Sequence, residues 1–470
     1  MQDNDTKKAG SGRIGVEFTS RPLSGWGGLL VMFEFFEKLG VREYLEQALP
    51  DGRSSPNQVP VVDIAMALMA TILTGGSRFA HVERVRADAA IKAILNARRM
   101  PSESVVTRYF GNFTQGQSEH MIETLQRLIA EQLRHCKTPE VLDLDSTVFS
   151  RYGDQEGSAK GYHPQRPGRK SHHPLLAMLA EGKLIVHSWL RSGSASPLKG
   201  CEQFLAETMA RLPEGFAIKA VRGDAGFFSK DFVSALEQRE LGYVIAMKMS
   251  RPVKRWAATR PVWKEVSKTI SVADDLYEPH LWGRARRVIV VRECVGREIK
   301  GVLFELAQYE YRAFVTNLGL EPVDLWRFYN ARGDCENRIK EAKYDFHVHG
   351  FCLRSFAGTD AVFRLNTFLY NLVSLFRTHI LRDSKLRLGT IRDKVLVVGA
   401  ALGRSGRKVI LRLGLTRRWK DEFIILAKRI AHFLTSTAAQ LRQYLEEQGQ
   451  ERPSPWKLRG SFAPIFGAWG

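Results

Sequence analysis

The sequence predicts a mixed α/β protein with helical regions at both ends. Three observations predict it. Apolar residues recur at three- and four-residue steps from about Leu29 to His135. At Glu140 that pattern gives way to short apolar runs bounded by turn residues, the mark of strands. Beyond Trp189 strands alternate with helical segments, the order of a sheet with helices packed on it.

The elements follow in order. Residues 1–25 read as a flexible tail. Residues 26–138 read as a helical region with periodic runs at Leu29–Leu39, Val61–Leu73 and Met121–Leu133, punctuated by Gly40, Pro50-Asp51-Gly52 and Gly75-Gly76. Within it Pro101-Ser102 starts a short helix with Ser102 as N-cap. That helix displays Arg108, follows Arg98-Arg99, and is either a DNA-contacting element or a solvated basic surface. Val141–Phe149 is the first strand. Leu175–Leu179 and Leu184–Trp189 flank Ala180-Glu181-Gly182-Lys183 as a hairpin. Helix Glu202–Leu212, strand Ala217–Arg222, helix Lys230–Leu241 and strand Tyr243–Met247 complete a unit over residues 139–250. Residues 251–318 carry Trp256, Trp263 and Trp282 with β-rich runs, and read as a β-rich insertion whose last strand returns to the main sheet. A long helix is expected from Glu321 to about Phe346, and a buried one over Thr359–Leu381, within a segment 319–385. Residues 386–470 form a C-terminal region: a hairpin from Val395–Val398 and Val409–Leu413, a basic helix Asp421–Leu434 and an irregular last twenty residues.

Composition bounds the function. The chain has 470 residues, 44% apolar and 26% charged, ordinary for a folded protein. The charge balance is not ordinary: 70 Lys and Arg face 50 Asp and Glu, a net charge of +20. A polyanion is the natural partner, because neutralising phosphates releases condensed counterions. Nucleic acid fits better than a membrane surface, since no basic amphipathic helix with a wide apolar face stands out. The apolar runs Ile64–Leu73 and Phe363–Phe376 are too short or too polar to span a bilayer. Five scattered cysteines without a CxxC pair argue against a disulfide framework and a zinc site. With a polar N-terminus lacking an apolar h-region, they point to the reducing cytoplasm.

Three acidic positions carry the candidate chemistry. Asp145 lies near the middle of the first strand, and Asp143 two residues earlier shares its face. A carboxylate on a buried strand needs a metal, an arginine or a capping role. Asp224 ends an apolar strand in Arg222-Gly223-Asp224-Ala225-Gly226, at the edge where open α/β sheets present their sites; it is alternatively a turn residue bonding its own backbone. On the expected helix, Tyr329, Arg332, Glu336 and Lys343 fall on one face, either as a functional stripe or as a salt-bridged surface. Two strand carboxylates and one helix carboxylate suit a pair of Mg²⁺ ions, and no His or Cys ligand is required.

At these residues the sequence resembles a known group. Tyr329-x₂-Arg332-x₃-Glu336-x₆-Lys343 matches the Tyr-Arg-Glu-Lys signature of bacterial insertion-sequence transposases of the DDE class. Leu-Asp-Leu-Asp-Ser-Thr around Asp145 and Arg-Gly-Asp-Ala-Gly-Phe around Asp224 resemble its two Asp motifs. The nearest resemblance is to the insertion-sequence family numbered thirteen-eighty, over about residues 12–435. It implies an RNase H-like mixed-sheet catalytic core (139–250 and 319–385) interrupted by the insertion. Asp145 to Asp224 is 79 positions and Asp224 to Glu336 is 112, which leaves room for it.

The resemblance also implies roles. Asp145, Asp224 and Glu336 would be catalytic and would bind two Mg²⁺ (or Mn²⁺) ions. Tyr329, Arg332 and Lys343 would contact DNA phosphates. The partners would be double-stranded DNA, as transposon inverted-repeat ends and as target, and a second copy of the chain in a homodimeric synaptic complex, in the bacterial cytoplasm at the nucleoid. The reaction would be hydrolysis at transposon ends and joining of the 3′-hydroxyl to target DNA, by cut-and-paste. Some relatives place an insertion Trp on a flipped base, which makes Trp256, Trp263 and Trp282 candidates, with core packing the other reading. A basic loop from Lys160 to His173 adds Arg166, Arg169 and Lys170 as DNA-binding candidates, or as a solvated loop. The rival readings are an RNase H-like endonuclease without strand transfer and a non-catalytic DNA-binding descendant.

Overall fold

The computed structural model describes residues 18–447 except 52–54, 56, 135, 137, 164, 165, 281 and 296–307. The expected tail before residue 18 and the irregular last twenty residues lie outside them. A nine-stranded mixed sheet forms the centre. Its strands are β1 (Glu140–Ser146), β2 (Leu175–Leu179), β3 (Ile185–Trp189), β4 (Ile218–Gly223), β5 (Tyr243–Ala246), β6 (Lys264–Glu265), β7 (Ile270–Tyr277), β8 (Arg286–Val295) and β9 (Gln308–Thr316). Their order across the sheet is β6-β7-β8-β9-β5-β4-β1-β2-β3. β1, β4 and β5 run parallel, and every other neighbouring pair is antiparallel.

This order follows from the local sequence. The tight turn at Ala180–Lys183, with Lys183 at φ 53°, folds β2 back on β3. β1 and β4 are joined through intervening helix Cys201–Ala210, as a parallel pair requires. β1 is buried along Glu140–Leu144, so its apolar residues meet packed layers on both sides of the sheet.

Helices close the core. α1 (Glu103–Gly111) starts at Ser102, whose hydroxyl accepts from Val105 N, as the sequence indicates. α2 (Gln115–Leu133) opens on a Thr114–Gln117 capping box. α3 (Pro322–Asn330), α4 (Gly333–Tyr344) and α5 (Phe356–Leu375) follow β9. α5 is buried on all sides from Gly358 to Leu375, in keeping with its reading as a core helix. Its polar residues are spent on neighbours. Asn371 Oδ1 accepts from Ile185 N and its Nδ2 donates to Ile185 O, both at 2.7 Å, which fixes the start of β3. Asp360 accepts from Ser118 of α2 at 2.7 Å and pairs with Arg364. One apolar core runs from Leu29 through these helices to Ile430, so the N-terminal helices pack on the sheet unit directly.

Six expectations need correction. The first strand ends at Ser146 rather than Phe149, so Asp145 stands at its C-terminal end and not near its middle. The helix expected over Glu321–Phe346 is two, broken at Ala331-Arg332, where Asp334 N bonds back only three residues to Ala331 O. The tightened turn lets Arg332, 3% exposed, reach inward to β1. The insertion opens with a helix, Arg251–Ala258, started by Pro252 in its first turn. The C-terminal hairpin uses Ala400–Ser405 with Lys408–Leu413, because Arg392–Leu396 coils and buries Leu396 in the core. Leu23–Ser24 pairs with the edge of that hairpin, so paired structure begins inside the expected tail. The basic helix near the end spans Arg417–Glu447, longer than Asp421–Leu434.

Candidate active site

The parallel register of β1 and β4 builds the site. Leu144 pairs with Gly223, so the next residues, Asp145 and Asp224, leave adjacent strands side by side. Neighbouring strands lie roughly 4.8 Å apart, which sets the scale of that juxtaposition. One step back, Asp143 pairs with Arg222 in register. The Arg222 guanidinium donates to both Asp143 oxygens at 2.7 Å, and both side chains are nearly inaccessible, at 1% and 3% exposed. Burial raises the Asp143 carboxyl, and the Arg222 charge pulls it back down. Arg222 also donates to Phe328 O at 2.6 Å, which ties the end of α3 to the sheet.

Arg332 joins the third acid to Asp145. Its Nη2 donates to Asp145 Oδ1 at 2.5 Å and to Leu144 O at 3.1 Å, while its Nη1 donates to Glu336 Oε1 at 2.8 Å. Glu336 sits in the first turn of α4, half exposed at 54%, where the helix N-terminus favours an anion. Burial pushes Asp145 up to about 6; Arg332 opposes the rise, and the charges of Asp224 and Glu336 add to it. The three acids therefore feel one another's charge, with burial the larger effect and Arg332 the compensating cation. Burial works against the charge on Arg332, yet Asp145 and Asp224 hold its affinity for a proton above the ordinary arginine value.

The remaining signature residues flank this cluster. Tyr329 stands on α3, not on the helix of Glu336, and packs on Phe314 of β9 with ring centroids 4.4 Å apart. Burial raises its phenol. Lys343, on α4, is shifted down by burial and drawn back up by Asp145. Asp224 is half-buried and accepts from Gly226 N at 2.9 Å, so the turn role and the place beside Asp145 coexist.

The donor set, three carboxylates and no nitrogen or sulfur, suits a hard divalent cation. As the side chains stand, the Arg332 guanidinium lies between Asp145 and Glu336. Among the described residues no three Asp, Glu, His or Cys groups come close enough together to hold an ion. Arg332 thus supplies the positive charge that the acids require in this conformation.

The other candidates are placed differently. Arg166, Arg169 and Lys170 engage Tyr152 and Asp154 rather than the acids. Trp256 stacks against Tyr277 and Arg260, and Trp263 against Arg292. Trp282 stacks on Phe228, four residues beyond Asp224, with centroids 4.9 Å apart. All three are partly buried against the core. Arg98 and Arg108 are exposed on and beside α1. The Asp143–Arg222 pair was open in the sequence only as an alternative for Asp143. Its signal is that each residue precedes a site acid by two positions, and parallel strands set such positions opposite each other.

The model of the family described as Transposase DDE domain group 1 matches residues 6–435. No curated protein matches. Among solved structures, a piggyBac transposase in a synaptic complex with hairpin DNA aligns at 11% identity with a TM-score of 0.40, over 95% of this chain and 91% of that one. No helix among the described residues is long and apolar enough to cross a membrane. With the family model matching nearly its whole length, the chain belongs to the DDE-domain transposases of group 1.

Proposed function

We propose that the protein cleaves the ends of a mobile DNA element by divalent-metal-dependent hydrolysis and joins the freed 3′-hydroxyls to target DNA. The observation that supports this reading is that Arg332 bridges Asp145 and Glu336, from chain positions far apart, while Asp224 leaves the strand next to that of Asp145. Asp145, Asp224 and Glu336 would hold two Mg²⁺ or Mn²⁺ ions. Bound there, such ions supply Lewis-acid charge to the phosphoryl centre and lower the pKa of a nucleophilic hydroxyl. The chain's own groups do the rest. Arg332 leaves the carboxylates for a DNA phosphate, and Lys343 and Tyr329 grip neighbouring phosphates, the lysine as a point charge. Asp143 and Arg222 hold the β1 and β4 ends at fixed spacing.

The strand order β3-β2-β1-β4-β5 supports an RNase H-like core within 139–250 and 319–385, with 251–318 as its insertion. In this reading residues 26–138 bind DNA, 386–470 form the C-terminal region, and two copies pair the two ends in a cut-and-paste reaction of the thirteen-eighty insertion-sequence type. The test is cleavage and joining on a plasmid carrying the DNA that flanks this coding sequence. Asp145→Asn, Asp224→Asn and Glu336→Gln should each abolish cleavage and leave DNA binding intact. Wild-type rates in any one of them would remove that residue from the site. Cleavage by the wild-type protein without joining would assign it to the endonucleases instead.

A further inference from the structure

A second polar cleft lies in the connection between β1 and β2. There Phe149–Ser150 and Ala159–Lys160 both pair with Lys170–His172, so the connection is a built element. Arg151 forms its floor and is 4% exposed. Its guanidinium donates to His172 Nδ1 at 3.0 Å and to His349 O at 2.7 Å. The second bond anchors the cleft to the segment that follows α4, the helix of Glu336 and Lys343.

The cleft measures about 520 Å³ and is broadly open to solvent. Its wall is the ring of Tyr152, 75% exposed. Arg169 lies over that ring at 4.4 Å from the centroid, and Arg166 donates to the Tyr152 hydroxyl. Lys170 is paired with Asp154 at 2.5 Å. Among the described residues neither Arg166 nor Arg169 has a carboxylate partner, so both keep their charge for an anion. A nucleobase stacks on an exposed aromatic ring more strongly than an exposed guanidinium does, and displaces it.

We propose that this cleft binds one unpaired nucleotide of a DNA strand, with its base on the Tyr152 ring and its phosphates on Arg166 and Arg169. A paired base has both faces covered by its stack and does not fit. The inference rests on DNA being the substrate, and adds a site for single-stranded DNA in the connection between β1 and β2.

The test is fluorescence anisotropy with a labelled oligothymidylate and a duplex of equal length. Tyr152→Ala should weaken oligothymidylate binding about ten-fold, the scale of one lost base stack. Tyr152→Phe keeps the ring and should stay within about two-fold of wild type, and duplex affinity should hold in both variants. In the wild-type protein, a 2-aminopurine within the oligonucleotide should lose fluorescence on binding. Unchanged oligothymidylate affinity in Tyr152→Ala, an equal loss in Tyr152→Phe, an equal loss on duplex, or no 2-aminopurine quenching would each overturn the proposal. Absence of duplex binding by the wild-type protein would instead sink the DNA reading on which it depends.

Discussion

Glu140→Gln should flatten the dependence of stability on pH. Glu140 opens β1 and is 2% exposed. It faces Glu181 of the β2–β3 turn. Glu181 N donates to Glu140 Oε2 and Val141 N to Glu181 Oε2, both at 3.0 Å. The two carboxyls also share a hydrogen bond, which needs a proton between them. Burial first, then the hydrogen bond and charge of Glu181, pushes Glu140 up to about 8. In the unfolded chain a glutamate titrates near about 4.3. Between these values the folded state holds a proton that the unfolded state has released. Stability therefore falls as pH rises through this window, by at most about 1.4 kcal/mol per pH unit, and levels off above the folded value. The full window would cost about 5 kcal/mol. Glu181 is 50% exposed, so water relaxes the pair, and about half of that, 2–3 kcal/mol, is the working figure. Glutamine keeps the acceptor for Glu181 N and donates to the Glu181 carboxylate without a titrating proton. Urea denaturation of both proteins at several pH values between about 5 and 8.5 makes the comparison. The variant should gain on the wild type steadily as pH rises. Parallel profiles would refute the reasoning.

Three further outcomes follow from the packing and the charges. Arg222→Met strands the buried Asp143 carboxylate and should cost about 3–5 kcal/mol in urea denaturation, much of it recovered when Asp143→Leu is added; no recovery in the double variant would show that Arg222 acts through Phe328 instead. Gly28→Ala puts a Cβ 1.8 Å from Val395 O, against backbone that cannot yield cheaply, and should lower stability by about 1–3 kcal/mol; an unchanged thermal midpoint would contradict the close approach. Lys343→Ala should reduce the slope of log affinity against log salt for duplex DNA by about one, and an unchanged slope would take Lys343 off the phosphates.

Much of this arrangement can be read before any coordinates. The alternating strands and helices, the hairpin at Ala180–Lys183 and the order of the acidic motifs come from period and turn chemistry. Three kinds of feature do not. The break at Ala331-Arg332 has no proline and is marked only by Asn330, Gly333 and Asp334, scattered weak helix formers; the contact of Arg332 with Asp145 that accompanies it is a tertiary effect. The end of β1 at Ser146 is hidden because Val148 and Phe149 continue the apolar run, and Phe149 enters a different sheet. The coil at Arg392–Leu396 runs into Val395, Val397 and Val398, which read as a strand, but the fold buries Ile391 and Leu396 in the core instead. Arg332 between two acids is a further case: spacing aligns it with Glu336 along a helix, whereas its contact with Asp145 spans 187 positions and depends on the fold.

The central claim is that the carboxylates of β1, β4 and α4 share divalent cations, and it is open to direct mapping. Protein loaded with Fe²⁺ in place of Mg²⁺, bound to DNA and treated with ascorbate and peroxide, breaks its own backbone next to the ion. Cuts near residues 145, 224 and 336, suppressed together by excess Mg²⁺, are the expected pattern. Cuts confined to one of these segments, or clustered elsewhere in the chain, would contradict the account.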